Sequence, residues 1–204
     1  MIVAPTGERL VFKDVIIDTL TAHDTNQFYG IHVGANFDYA FVDDNPRNTN
    51  ITIKNSTVYN VPGDGITVAQ SRNAWIENNV VHDVGYAEAG TITDQYTPNG
   101  IWSWASDRVT IRFNEGYRIH SYGVDGGVFD VDWGSTNTTI EFNYAHDADA
   151  YCVAVFGLQG RPTVNTVIRY NICSNNDRKI GDNAADIIVF TADGGSIDGV
   201  QIYN

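Results

Sequence analysis

A four-residue motif recurs down this chain: an aliphatic residue, a charged residue, an apolar residue or Asn, then Asn. It reads Ile76-Glu77-Asn78-Asn79, Ile111-Arg112-Phe113-Asn114, Ile140-Glu141-Phe142-Asn143 and Ile168-Arg169-Tyr170-Asn171, with weaker copies at Phe12 to Val15, Ile53 to Ser56 and Gln201 to Asn204. The spacing runs from 23 residues (Ile53 to Ile76) to 41 (Phe12 to Ile53). That is too variable for a helical repeat and suits coils whose loops differ in length. No single coil can bury its own apolar face, so such repeats must stack.

Stacking the copies turns each motif position into a column. The second column reads Lys13, Lys54, Glu77, Arg112, Glu141, Arg169, alternating in sign from Lys54 onward. Parallel strands lie ~4.8 Å apart, so opposite charges in one column form a cross-strand ladder. The third column, Asn55, Asn78, Phe113, Phe142, Tyr170, Tyr203, becomes an aromatic stack. The fourth, Asn79, Asn114, Asn143, Asn171, Asn204, is an asparagine ladder. Asn tolerates a left-handed backbone, and stacked amides can bond along the column, which predicts a corner at this Asn in every coil.

The composition fits an all-β solenoid: 19 glycines and 20 asparagines against one methionine, and no long amphipathic run. Residues 1–204 read as one elongated domain of about six to seven coils of roughly 30 residues each. A net charge of −13 repels nucleic-acid phosphates, and no apolar stretch could span a bilayer as a helix, so neither nucleic acid nor membrane is expected as a partner. Cys152 and Cys173 fall at inward strand positions and read as two small buried hydrophobes rather than a disulfide. Met1-Ile2-Val3-Ala4-Pro5 lacks the charged start and apolar core of a secretory signal. Val200-Gln201-Ile202-Tyr203-Asn204 is a motif that stops at its corner with no terminal cap after it, and the expectation is a piece of a longer chain. Whether it is a monomer or a homo-oligomer stays open.

From about Leu10 to Asn204 the chain resembles the right-handed parallel β-helix superfamily, the pectate-lyase-like fold with short parallel β-helix repeats. The resemblance implies a right-handed, single-stranded β-helix, a carbohydrate partner and a secreted or extracytoplasmic setting. It does not select an activity, because that scaffold carries polysaccharide lyases, glycoside hydrolases, epimerases, esterases and phage tailspikes.

A second strand recurs in each coil, usually after Gly: Gly30-Ile31-His32-Val33, Gly65-Ile66-Thr67-Val68, Gly100-Ile101-Trp102-Ser103-Trp104 and Val128-Phe129-Asp130-Val131-Asp132-Trp133. With Ile31, Ile66, Ile101 and Phe129 inward, period-two alternation sends His32, Thr67, Trp102 and Asp130 outward in one column. Gly34, Ala69, Trp104 and Asp132 form the next. Two indoles beside two carboxylates suit sugar binding, since an indole on a solvent face needs an apolar partner.

Glycosidases place two carboxyls about the scissile bond, ~5 to 5.5 Å apart for retention and ~6.5 to 9.5 Å for inversion. Residues i and i+2 of a strand have Cα atoms ~6.5 to 7 Å apart, so Asp130 and Asp132 fit the catalytic pair. His146, predicted one coil away, is a further acid or base candidate. Trp102, Trp104, Asp125, Tyr96 and His32 are the candidate substrate contacts, with Asp94 as another carboxyl and Tyr86 and Tyr122 at the rim. Asp83 and Asp147 share a column with Asn60 and Asn175 and read as turn caps. His23-Asp24 and His120 have no consistent column. The long loops, Gly34 to Asn48, Val84 to Asn99 and Asn176 to Ala184, are expected to wall a groove. No cofactor is expected, although carboxylates on one face also suit Ca²⁺. The first reading is therefore a glycoside hydrolase acting on a polysaccharide or oligosaccharide. Alternatives are a Ca²⁺-dependent polysaccharide lyase or epimerase, and a non-catalytic glycan-binding or structural solenoid. Two features speak against lyase and polygalacturonase chemistry: no Arg or Lys stands on the Trp/Asp strand, and the Gly-His-Gly pattern is missing.

Overall fold

The computed structural model describes residues 11–26, 28–34, 47–86, 97–179 and 185–204. Tyr96, Asp94 and most of the first two long loops fall outside these residues, as does part of the third. Among the described residues every regular element is a strand. The first coil carries β1 (Lys13–Asp18), β2 (Thr21–His23) and β3 (Ile31–Val33); the second β4 (Asn48–Lys54), β5 (Thr57–Val61) and β6 (Ile66–Ala69). The third has β7 (Ser71–Glu77), β8 (Val80–Val84) and β9 (Ile101–Trp104); the fourth β10 (Asp107–Arg112), β11 (Glu115–Ile119) and β12 (Phe129–Val131). Then come β13 (Thr139–Glu141), β14 (Tyr144–His146), β15 (Val153–Gly157), β16 (Pro162–Val164), β17 (Val167–Arg169), β18 (Ile172–Ser174), β19 (Ile187–Thr191), β20 (Ser196–Asp198) and β21 (Gln201–Tyr203).

Three parallel sheets run the length of this solenoid: β1-β4-β7-β10-β13-β17-β21, β2-β5-β8-β11-β14-β18 and β3-β6-β9-β12-β15-β19, with the short pair β16-β20 beside them. Seven strands in the first sheet agree with six to seven coils. Inside, β-branched residues stack on their counterparts: Ile51, Ile53, Ile76, Ile111 and Ile140 are fully buried, as are Val58, Val81 and Ile101. Branched side chains fill a pleated, in-register stack well, and every coil offers the same site to the next.

The charge ladder forms, with one correction. Asp18, not Lys13, stands opposite Lys54, and Lys13 pairs in register with Thr49. The first coil's motif copy is therefore Ile17-Asp18-Thr19-Leu20, and the alternation extends one coil further than expected. Ion pairs close it at Lys54–Asp18 (3.4 Å), Arg112–Glu77 (2.7 Å) and Arg169–Glu141 (2.7 Å).

The asparagine ladder also forms, and its corner is made differently from expectation. Asn79, Asn114 and Asn143 turn their amides inward. Each Oδ1 accepts the preceding coil's backbone N–H at 2.9–3.0 Å, and each Nδ2 donates to a backbone carbonyl at 2.9–3.0 Å. The left-handed residue is the one before: Thr19, Asn55, Asn78, Phe113, Phe142 and Tyr170 have φ of 51–57°. The ladder holds even bulky aromatics in that conformation, which they disfavour by ~1–2 kcal/mol. Phe113–Phe142 and Phe142–Tyr170 stack at 5.3 and 4.9 Å.

A second left-handed corner passes through Asp24, Asn60, Asp83, Arg118, Asp147 and Asn175. Just before it a ring stack runs His23–Tyr59–His82–Tyr117–His146. His23 and Asp24, expected to have no column, belong to this one, because β2 pairs in register with β5. Cys152 and Cys173 are joined in a disulfide, Cα–Cα 5.7 Å, which corrects the expectation of two free thiols: both face inward and meet across the coil's interior. No helix among the described residues is long and apolar enough to cross a membrane.

Candidate functional site

The third sheet carries the site. Its register pairs Ile31, Ile66, Ile101, Phe129 and Val153 as inward neighbours, so His32, Thr67, Trp102, Asp130 and Ala154 share the next column. Ala69 pairs with Trp104 beyond it. Asp132 lies one step past β12, and its N–H donates to Ser103 O at 2.8 Å, which continues the register.

Trp104, expected on a solvent face, is only 5% exposed. It packs with Ala69, Ala105 and Trp133, its ring 5.0 Å from that of Trp133. Outward from the sheet therefore means under a second apolar layer at this position, with Leu158 and Trp102 against it. Trp102 is half-buried. His32 is half-buried and stacks on Tyr29 at 4.2 Å; burial lowers its pKa to about 4, so it is neutral near pH 7. Three strand spacings, ~14 Å, separate it from Asp130. His146 lies on β14, in another sheet, where it bonds Asp147 (2.8 Å) and Glu115 (3.2 Å); it is not brought to the Asp pair. Tyr86 and Tyr122 are exposed.

Four carboxyls do gather. Asp130 is 2% exposed and Asp64 is fully buried, while Asp125 and Asp132 are half-buried. Burial, more than any other cause, raises the pKa of each. Asp64 and Asp130 are pushed well above the ordinary carboxylate range, Asp130 further by the charges of Asp132, Asp125 and Asp64. Asp132 rises to about 7 against the pull of the Trp133 N–H, which it accepts at 2.9 Å. Asp125 rises to about 6, with Tyr151 and Thr97 holding it down. Two half-buried carboxyls, both raised by burial and with the charge of Asp125 acting on Asp132, can supply an acid and a base.

Residues outside the expected set complete the cluster. Asp64, Asn99, Gly127 and Tyr151 occupy one column directly before the strands, since Gly30, Gly65, Gly100 and Val128 donate to the carbonyls of Asp64, Asn99, Gly127 and Tyr151. A methyl at Gly127 would overlap the Tyr151 ring, so the phenol passes over Gly127 and its OH donates to Asn99 Oδ1 at 2.8 Å. The sequence signal was the Asx-Gly dipeptide, Asp64-Gly65 and Asn99-Gly100, repeated ahead of two successive strands. Asp125 and Gly126 both have positive φ (64° and 93°). The loop leading to them is pinned by Lys179, whose Nζ donates to the Ser121 and Gly123 carbonyls at 2.6 and 2.8 Å. Among the described residues no three His, Cys, Asp or Glu side chains come together as a metal-binding group.

Known proteins place this architecture. The family described as right handed beta helix region matches residues 26–204. A lacto-N-biosidase of Bifidobacterium longum subsp. longum is 30% identical over 192 residues, an alignment that takes in 82% of this chain and 12% of that protein. Two crystal structures of a GH136 lacto-N-biosidase from Eubacterium ramulus, native and selenomethionine forms, superpose with TM-scores of 0.65 and 0.64 at 18% identity. They cover 93% of this chain, which spans 36% of theirs.

Proposed function

We propose that this chain, which belongs to the right-handed β-helix family, is a glycoside hydrolase acting on an oligosaccharide or polysaccharide, with Asp132 as general acid and Asp125 as its ionised partner. The observation that carries this reading is the carboxyl cluster around β12: two half-buried carboxyls, Asp132 just after the strand and Asp125 in the loop before it, their pKa values raised to about 7 and about 6, with the half-buried Trp102 on the neighbouring strand. Asp130, expected as half of the pair, is 2% exposed and too enclosed to touch a sugar; burial, and the charge of Asp132 when ionised, keep its own carboxyl neutral. The name of the 30%-identical relative, a lacto-N-biosidase, supports a glycosidase. The ionised Asp125 and a net charge of −13 disfavour uronates, so a neutral sugar fits better. The disulfide supports an extracytoplasmic setting.

Hydrolysis requires Asp132 protonated and Asp125 ionised, which predicts a bell-shaped kcat/KM profile with its maximum between about pH 6 and about pH 7. The test is a screen of neutral and acidic glycans, reading reducing-end release and absorbance near 235 nm with and without EDTA. New reducing ends without unsaturated product, insensitive to EDTA and lost by about 10³-fold or more in Asp132→Asn and Asp125→Asn, are the expected outcome. An EDTA-sensitive rise near 235 nm would replace the hydrolase with a lyase. Glycan binding without turnover would leave a binding module.

A further inference from the structure

We infer that Asn99 is a positioning residue of the proposed hydrolase, tying Asp64, Asp130 and Tyr151 into one network and fixing which oxygen of Asp130 is held. The inference rests on the hydrolase reading for its catalytic meaning and on geometry for the rest. Asn99 is 2% exposed, and all its polar groups are engaged. Its backbone N–H donates to Asp64 Oδ1 at 2.7 Å and its carbonyl accepts from Gly65 N at 3.0 Å. Its Oδ1 accepts from Tyr151 OH at 2.8 Å and from Gly127 N at 3.1 Å, and its Nδ2 donates to Asp130 Oδ2 at 3.3 Å.

The amide cannot be turned over. Gly127 N–H only donates, so the atom facing it is the oxygen, and the NH₂ must face Asp130. Asp130 Oδ2 is thereby held, while Oδ1 is buried without a partner. The ladder asparagines 79, 114 and 143 differ: their amides bond backbone groups and one another. Asn99 spends its side chain on a carboxyl and a phenol, and the network crosses four coils, from Asp64 to Tyr151. A purely structural asparagine has no need of those partners. The charged or titratable groups around it are Asp64 ahead of β6, Asp125, Asp130 and Asp132 around β12, and Tyr151 ahead of β15.

Asn99→Asp separates positioning from structure, because a protonated Asp is nearly isosteric with Asn and can donate to Asp130, whereas an ionised Asp cannot donate and sets a charge among the buried carboxyls. Steady-state kinetics on a panel of nitrophenyl glycosides would be compared for wild type, Asn99→Asp and Tyr151→Phe. In parallel, the aspartate carboxyls would be titrated by carbon-13 NMR. The expected result is a kcat loss with KM little changed, whose size in Asn99→Asp shrinks by about tenfold between about pH 7.5 and about pH 5. Tyr151→Phe, which removes one oxygen and keeps the ring, moves the Asp125 and Asp130 titrations in the same experiment. A loss that is flat with pH, together with unmoved carboxyl titrations in both variants, overturns the inference. If wild type hydrolyses no glycoside while the titrations do move, the hydrolase reading falls and the positioning role of Asn99 stands.

Discussion

Removing one rung of the asparagine ladder, Asn114→Ala, should destabilise the protein far more than an average polar substitution. Asn114 is 2% exposed. Its Oδ1 accepts from the Asn79 N–H at 2.9 Å and from the Asn79 amide at 3.0 Å, and its Nδ2 donates to the Ile76 carbonyl at 2.9 Å and to Asn143 Oδ1 at 3.0 Å. Alanine leaves the Asn79 N–H and the Ile76 carbonyl without these partners in the interior. A buried polar group left unpaired costs ~1–3 kcal/mol, so the two together cost about 2 to 6 kcal/mol. Asn171 has the same bonds, to Ile140 O at 2.9 Å and from Asn143 N at 3.0 Å, yet it is half-buried. Water can replace those bonds, so Asn171→Ala should cost only about 1 kcal/mol. Urea unfolding of both variants, followed by tryptophan fluorescence and circular dichroism with unchanged m, measures the difference. Equal losses at the two positions, or a loss below about 1 kcal/mol for Asn114→Ala, would refute the argument that burial of the ladder sets its worth.

Three further outcomes follow from the same structure. Burial raises Asp132 from 3.8 to about 7, so the folded chain keeps a proton that the unfolded chain has lost. This contribution is full below about pH 4 and fades as pH rises to about 7, at up to ~1.4 kcal/mol per pH unit. Asp132→Asn should flatten the stability–pH curve in that window, and a curve parallel to wild type would contradict it. Gly127→Ala, whose methyl would displace the Tyr151 ring, should cut glycoside turnover by at least about tenfold while leaving the circular dichroism spectrum intact; full activity would show that the ring's place is immaterial. Cys152→Ser with Cys173→Ser opens a crosslink across 21 residues, worth about 3 kcal/mol in chain entropy, read as a lower urea midpoint; an unchanged midpoint would mean that the crosslink adds nothing.

The sequence by itself determined the stack and its columns. In a parallel in-register solenoid each column is one environment repeated, so the charges of Lys54, Glu77, Arg112, Glu141 and Arg169 and the amides of Asn79, Asn114 and Asn143 declare their neighbours without coordinates. The same logic aligned His32, Thr67, Trp102 and Asp130, because side-chain period and coil period are both local. It failed at Lys13, where the first coil's true copy, Ile17-Asp18-Thr19-Leu20, lacks the asparagine that marks the others. Tertiary structure alone decided what lies over a column. Trp104 alternates outward yet is covered by Trp133 from the following coil, and Asp130 is sealed while Asp125 and Asp132 are not. It also decided that Cys152 and Cys173, both plainly inward, lie close enough to bond. Asn99 and Tyr151 joined the carboxyls because Gly127, having no side chain, lets a phenol from the next coil pass over it. Period fixes the direction of a side chain, but distance and cover depend on loops whose lengths obey no period.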